Sequence, residues 1–161
     1  MKMKTSYKGI ELIKKHEGLR LTSYICPAGK WTVGYGHTRT AHNNLTITEE
    51  QAEDLLRSDL NITETAVTHI AKDVGLNQNQ FDSLVSFAFN VGVGALRNST
   101  LIRKIYADAS EQEIREQFGR WIYANKKVLP GLVARRKDEA DLYFEPVYKI
   151  GDLDPKEEKR V

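Results

Sequence analysis

Residues 17–38 read EGLRLTSYICPAGKWTVGYGHT, and they interrupt an otherwise helical pattern. Pro27, Gly29, Gly34 and Gly36 break helical spacing, while Trp31-Thr32-Val33 favours extended backbone. Proline followed closely by glycine in Cys26-Pro27-Ala28-Gly29-Lys30 reads as a turn between two strands. Upstream, Tyr7, Ile10, Leu12 and Ile13 within residues 6–15 fall at helical spacing, and Gly18 can stop that helix just past Glu17. The chain therefore has to place a small antiparallel sheet among helices, which makes it α+β.

The rest reads as helices. Thr48 with Gln51 makes a capping box before Ala52, Leu55 and Leu56, and Leu60, Val67, Ile70, Ala71 and Val74 continue the period into a long helix able to bridge two lobes. Asn77 with Gln80 caps the next segment, where Phe81 to Phe89 is apolar nearly all round and so belongs at the centre of a core. Gly92 and Gly94 are expected to end that helix, and Ser99 or Thr100 to start another with Leu101, Ile102 and Ile105. Ser110 with Glu113 caps a helix whose face is marked by Ile114, Phe118, Trp121 and Ile122. Pro130 suits the first turn of a last helix containing Val133, Ala140, Tyr143 and Phe144. The sheet-containing lobe is expected over about 17–60, the helical lobe from 5–16 plus about 75–145, and an exposed charged tail over 146–161, all within one domain.

Composition excludes several classes. A chain of 161 residues that is 40% hydrophobic and 29% charged can build a core and is not of disordered type. A net charge of +2 suits an anionic polymer but is too weak to argue for nucleic acid. The absence of any 18-residue apolar run predicts no transmembrane helix and no stable membrane insertion, and the N-terminus does not read as a secretory signal. A single cysteine leaves no internal disulfide and fits synthesis in a reducing compartment. His42 and His69 stand apart, so metal-ligand spacing is missing, and neither a metal nor a cofactor is expected.

The candidate chemistry gathers around the sheet. Glu17 closes a helix where it meets a β-ribbon, the sort of junction where an acid can protonate a leaving oxygen while a group opposite manages water. Cys26 is either a small buried hydrophobe or a thiol facing a cleft. Thr32 is ordinary in a strand, yet its hydroxyl can orient one water. His37 invites a Cys26–His37 nucleophile reading, but it suits a structural hydrogen bond better, with Asp59 on the Thr48-capped helix as its anionic partner. Arg135-Arg136-Lys137 reads as a solvated helix face from which one cation could meet an acid near the cleft.

The order Glu17-Gly18, Tyr24, Cys26, Gly29, Thr32, then Gly34-Tyr35-Gly36-His37 resembles the phage-type lysozymes, glycoside hydrolase family 24. Phe89-Asn90-Val91-Gly92, Asn98-Ser99 and Trp121 with Leu129-Pro130-Gly131-Leu132 extend the likeness over roughly residues 7–145. The resemblance implies a mainly helical, two-lobed lysozyme-like fold with a small sheet lobe joined to a helical lobe by a long helix. It implies a muramidase that opens the bond between N-acetylmuramic acid and N-acetylglucosamine in bacterial peptidoglycan. Glu17 would be the general acid and Thr32 would position water. His37 and Asp59 would form a structural pair, and Phe89, Ser99 and Tyr35 would line the saccharide groove.

Cys26 departs from the family, which carries an Asp there. Three outcomes stay open: a thiolate that replaces the carboxylate, a thiol nucleophile with retention, or sufficiency of Glu17 and Thr32 at reduced activity. Two other functions also stay open: a Cys26/His37 peptidase or amidase, and a wall-binding module without catalysis. The family likeness further implies lysis of a bacterial host. The protein would be made as a monomer in the host cytoplasm. It would act on the wall from the periplasm, after a separate membrane-permeabilising protein has opened the way.

Overall fold

The computed structural model describes residues 2–147, so the expected tail beyond Val147 lies outside the described residues. Helix α1 (Tyr7–Glu17) buries Gly9, Ile10 and Ile13, and Gly18 stops it at φ 74°, a conformation open to glycine at little cost. The Gly18 N–H still closes on the Lys14 carbonyl at 3.0 Å. Glu17 is thus the last helical residue, carried to the edge of the sheet.

Strands β1 (Arg20–Ile25) and β2 (Trp31–Gly34) pair antiparallel, with Tyr24 opposite Thr32 and Ile25 opposite Trp31. The Cys26–Lys30 turn is closed by Cys26 N–H to the Lys30 carbonyl at 2.9 Å and Gly29 N–H to the Cys26 carbonyl at 2.8 Å. Beyond β2 the chain reverses through Gly34-Tyr35-Gly36, and Val33 and His37 exchange two backbone hydrogen bonds of 2.9 Å. Gly36 sits at φ 81°. Val33, Ile47 and Ala52 form a small core under this sheet.

Helix α2 (Glu49–Ile70) opens with the Thr48/Gln51 capping box and runs about 33 Å at 1.5 Å per residue. Ala52 belongs to the small core, while Leu56, Leu60 and Val67 belong to the large one, so α2 joins the two. It stops at Ile70 rather than Val74. Ala71 to Val74 form a turn, and Gly75 at φ 73° swings the chain back.

Helix α3 (Gln78–Val91) begins with the Asn77/Gln80 capping box, and every residue from Phe81 to Ala88 is buried. Helices α1, α2, α4 (Val93–Arg97) and α7 (Pro130–Phe144) pack on it. Gly94 falls inside α4 instead of marking a stop. Helix α5 (Thr100–Tyr106) and helix α6 (Glu111–Gly119) follow, the latter with its Ser110/Glu113 capping box.

Trp121 and Ile122 lie beyond α6, contrary to the helical reading of that face. A two-residue hairpin takes over, β3 (Tyr123–Ala124) with β4 (Lys127–Val128). Its tip, Asn125-Lys126, has φ 49° and 65°, the left-handed pair that a tight hairpin turn requires. The Trp121 ring still reaches the core, edge-on to Phe87 at 5.5 Å.

The result is a mainly helical fold with a small antiparallel sheet and a long linking helix. Among the described residues no helix is long and apolar enough to cross a membrane.

Candidate active site

Glu17 and Arg135 meet at the edge of the sheet. Glu17 ends α1 with its side chain 22% exposed, and Arg135 reaches it from the second turn of α7. Arg135 Nη1 donates to Glu17 Oε1 at 2.8 Å. The other oxygen, Oε2, faces the Gly36 turn, where a Cβ would come within 3.6 Å of it. Among the described residues Oε2 accepts no hydrogen bond. A guanidinium only donates, so Oε1 is taken up as an acceptor while Oε2 is left facing the Gly36 turn.

Arg135 is itself held. Its Nε donates to Glu139 Oε2 at 3.2 Å and its Nη2 to the Ser86 carbonyl at 3.1 Å. Ser86 Oγ also donates to Glu139 Oε2, at 2.6 Å. Arg136 Nε lies 2.9 Å from Glu139 Oε1 without the direction of a hydrogen bond, so that contact is coulombic. Arg136 Nη2 donates to Asn90 Oδ1 at 2.6 Å, and the guanidinium stacks 5.0 Å over the Phe87 ring. Burial pushes the Glu139 carboxyl up from its ordinary range, against the pull of Arg136 and Arg135.

These contacts correct the reading of residues 135–137 as a solvated face. Arg135 and Arg136 are buried, and only Lys137 is solvated. Glu139 was absent from the candidate residues altogether. The available signal was the spacing of Arg135 and Arg136 four and three residues before Glu139, with Ser83 and Ser86 of α3 bonded to Glu139.

Cys26 starts the turn after β1 and is half-buried. Its thiol is held below the usual range, first by a hydrogen bond from the Thr32 hydroxyl and then by the backbone at Lys30. Thr32 is buried in β2, and its hydroxyl also lies 3.0 Å from the Lys30 carbonyl.

His37 is buried, with Nδ1 2.8 Å from Asp59 Oδ2 and Nε2 2.6 Å from Thr40 Oγ1. The Thr40 N–H donates to Nε2 at 3.2 Å, so Nδ1 carries the proton toward Asp59. Both ring nitrogens are engaged, and neither is available to activate Cys26.

Tyr35 and Phe89 are half-buried. Tyr35 touches both hydrophobic cores, and Phe89 packs at the rim of the large one. Ser99 does not fit its expected place as a groove contact. It is 4% exposed, accepts from the Ile102 N–H at 3.1 Å as the cap of α5, and donates to the Leu96 carbonyl at 2.7 Å. A hydroxyl so engaged has no hydrogen left for a sugar. Among the described residues no cluster of three or more His, Cys, Asp or Glu could hold a metal.

A mainly helical body joined by a long helix to a small antiparallel sheet is the architecture of the lysozyme-type glycoside hydrolases. Residues 14–139 match the phage lysozyme family model, and the chain belongs to that family. It is 42% identical over 149 residues to the endolysin of Acyrthosiphon pisum secondary endosymbiont phage 1, covering 88% of this chain and 98% of that protein. The muramidase domain of SpmX from Asticaccaulis excentricus superposes with a TM-score of 0.82 at 39% identity, covering 89% of this chain and 99% of that one. A variant of the lysozyme of Salmonella phage P22 superposes with a TM-score of 0.79 at 35% identity, covering 89% and 99%.

Proposed function

We propose that this protein is an endolysin that hydrolyses the β-1,4 bond between N-acetylmuramic acid and N-acetylglucosamine in peptidoglycan, with Glu17 as the general acid. The observation that carries the reading is the clamp of Arg135 on Glu17 Oε1, at a helix end facing the Gly36 turn. With Oε1 occupied, the proton sits on Oε2 and passes to the bridging sugar oxygen as the bond to the anomeric carbon breaks.

Cys26 acts from the opposite side, where the family has a carboxylate. Its lowered thiol range favours a thiolate that draws on a water, and Thr32 orients the pair. Attack by water alone inverts the anomeric centre, whereas a thioglycoside intermediate retains it, so the anomer first released separates the two routes. Tyr35 and Phe89 are proposed to flank the saccharide. His37 with Asp59 ties the sheet turn to α2 and has no part in the chemistry. The protein is proposed to act as a monomer on the wall from the periplasmic side, reaching it through a lesion made by another protein.

The test is the product. Purified peptidoglycan should yield new reducing ends and no new free amines, and Glu17→Gln should abolish the yield while keeping helical content. Near-wild-type turnover in Glu17→Gln rejects the assignment. New amines would restore the peptidase reading.

A further inference from the structure

The Arg135 fork is pinned on every side. Glu139 takes Nε at 3.2 Å, the Ser86 carbonyl takes Nη2 at 3.1 Å, and Nη1 is left with one direction, toward Glu17 Oε1 at 2.8 Å. A guanidinium is planar, so fixing two of its nitrogens fixes the third. The Glu139 side chain is 0% exposed. Burying a carboxylate is costly, and an apolar side chain in place of a buried ion pair is often as stable or more so. Holding α7 against α3 therefore does not require an acid here. Aiming Arg135 does.

The charges around Glu139 balance. Arg135 and Arg136 face it from its own helix, and Ser86 is its polar neighbour on α3. Glu17 on α1 is reached through Arg135, and Arg136 is anchored in turn by Asn90. Two carboxylates meet two guanidiniums.

We propose that Glu139 is a positioning residue for the glycosidase reaction: by fixing the plane of Arg135 it decides which oxygen of Glu17 carries the transferable proton. The proposal rests on Glu17 being the general acid. Glu139 touches no substrate and acts only through Arg135. Without it the guanidinium can rotate, take either oxygen of Glu17 or both, and block the one that must face the sugar.

Removing Glu139 alone strands a buried cation and endangers folding. The informative variant removes an opposite pair together, Glu139→Leu with Arg136→Met, and is compared with Arg136→Met alone. Turnover of peptidoglycan is measured per folded molecule, with the side-chain NMR signals of Arg135 as a second readout. In the double variant kcat is expected to fall about tenfold or more with KM within about twofold, the mark of lost orientation rather than lost binding. The Arg135 Nε–H signal, sharp in the parent, should broaden. Arg136→Met alone, which leaves the Glu139–Arg135 contact in place, should keep most of the parent kcat. A folded double variant with parental kcat overturns the proposal, and so does an equal loss in Arg136→Met alone. Near-parental turnover in Glu17→Gln would instead remove the assignment of the acid, a failure read from a different protein.

Discussion

Arg135 donates to Glu17 across 2.8 Å, although 118 residues separate them in the chain. One comes from the end of the first helix and the other from the second turn of the last. The site exists only where these two helices, α1 and α7, both pack on α3.

Replacing Arg135 by methionine should affect stability and activity together. It leaves Glu139 with Arg136 and Ser86 alone and frees Glu17, and removing one partner of a buried ion pair costs about 3–5 kcal/mol. Thermal unfolding should show the loss of stability, and turnover at a temperature where the variant is still folded should fall at least about tenfold. Arg135→Lys should not rescue it, because an ammonium cannot hold three separate acceptors in one plane. A folded Arg135→Met with normal turnover would mean the clamp has no part in catalysis.

Cys26→Asp should keep muramidase activity within about tenfold of the parent, since the position then carries the family's carboxylate and uses the same turn. The thiol itself reports on its surroundings. Its ordinary value is 9.0, and the Thr32 hydroxyl holds it lower. Alkylation by iodoacetamide, followed against pH, should therefore show a midpoint below 9.0 in the parent and a higher one in Thr32→Val. Identical midpoints would remove Thr32 from the account.

Gly9→Ala sets two effects against each other. In a helix interior, alanine is about 1 kcal/mol better than glycine. Here the added Cβ would fall 2.7 Å from Asp82 Cγ and 2.5 Å from Thr5 Cγ2, too close for any carbon pair. Overpacking of this kind costs about 1–3 kcal/mol, and Asp82 is tied to Ser6 and so cannot step aside. The steric effect should win, and the midpoint of urea unfolding should fall. A rise would show that α1 can move away from α3 freely.

The acid limb of stability should depend on Asp141. Lys137 donates to it at 2.8 Å and Arg115 at 2.7 Å, and these bonds, Lys137 foremost, hold its carboxyl below the ordinary 3.8. A group whose folded value is depressed stabilises fully above its unfolded value and loses that contribution as pH falls through the folded one. Parent and Asp141→Asn should therefore differ at pH 7 and converge below about pH 3.8. Unfolding free energies measured across that range check it, and a constant gap would place the effect elsewhere.

Much of the fold was legible because it is set locally. The three capping boxes, at Thr48, Asn77 and Ser110, each close within four residues and all form. Gly18 ends α1 next to Glu17, and the Cys26–Lys30 turn closes through its own backbone. Two of the misreadings share one cause. Val74 and Trp121 keep a helical period because they face the same core, although the backbone beneath them has left the helix. An apolar period reports burial, and burial does not require a continuous helix.

The sequence by itself determined where the chain bends, which helices start and stop, and that one acid would stand at the edge of a small sheet. Local backbone preferences and hydrogen bonds between near neighbours suffice for that. Tertiary structure alone decided that Arg135, Arg136 and Glu139 would leave solvent, and that Arg135 would close on Glu17. A run of charges prefers water until packing supplies partners: Arg135 and Arg136 pair with Glu139 on their own helix, but Glu17 comes from α1 and the Ser86 hydroxyl from α3, both far away in the chain.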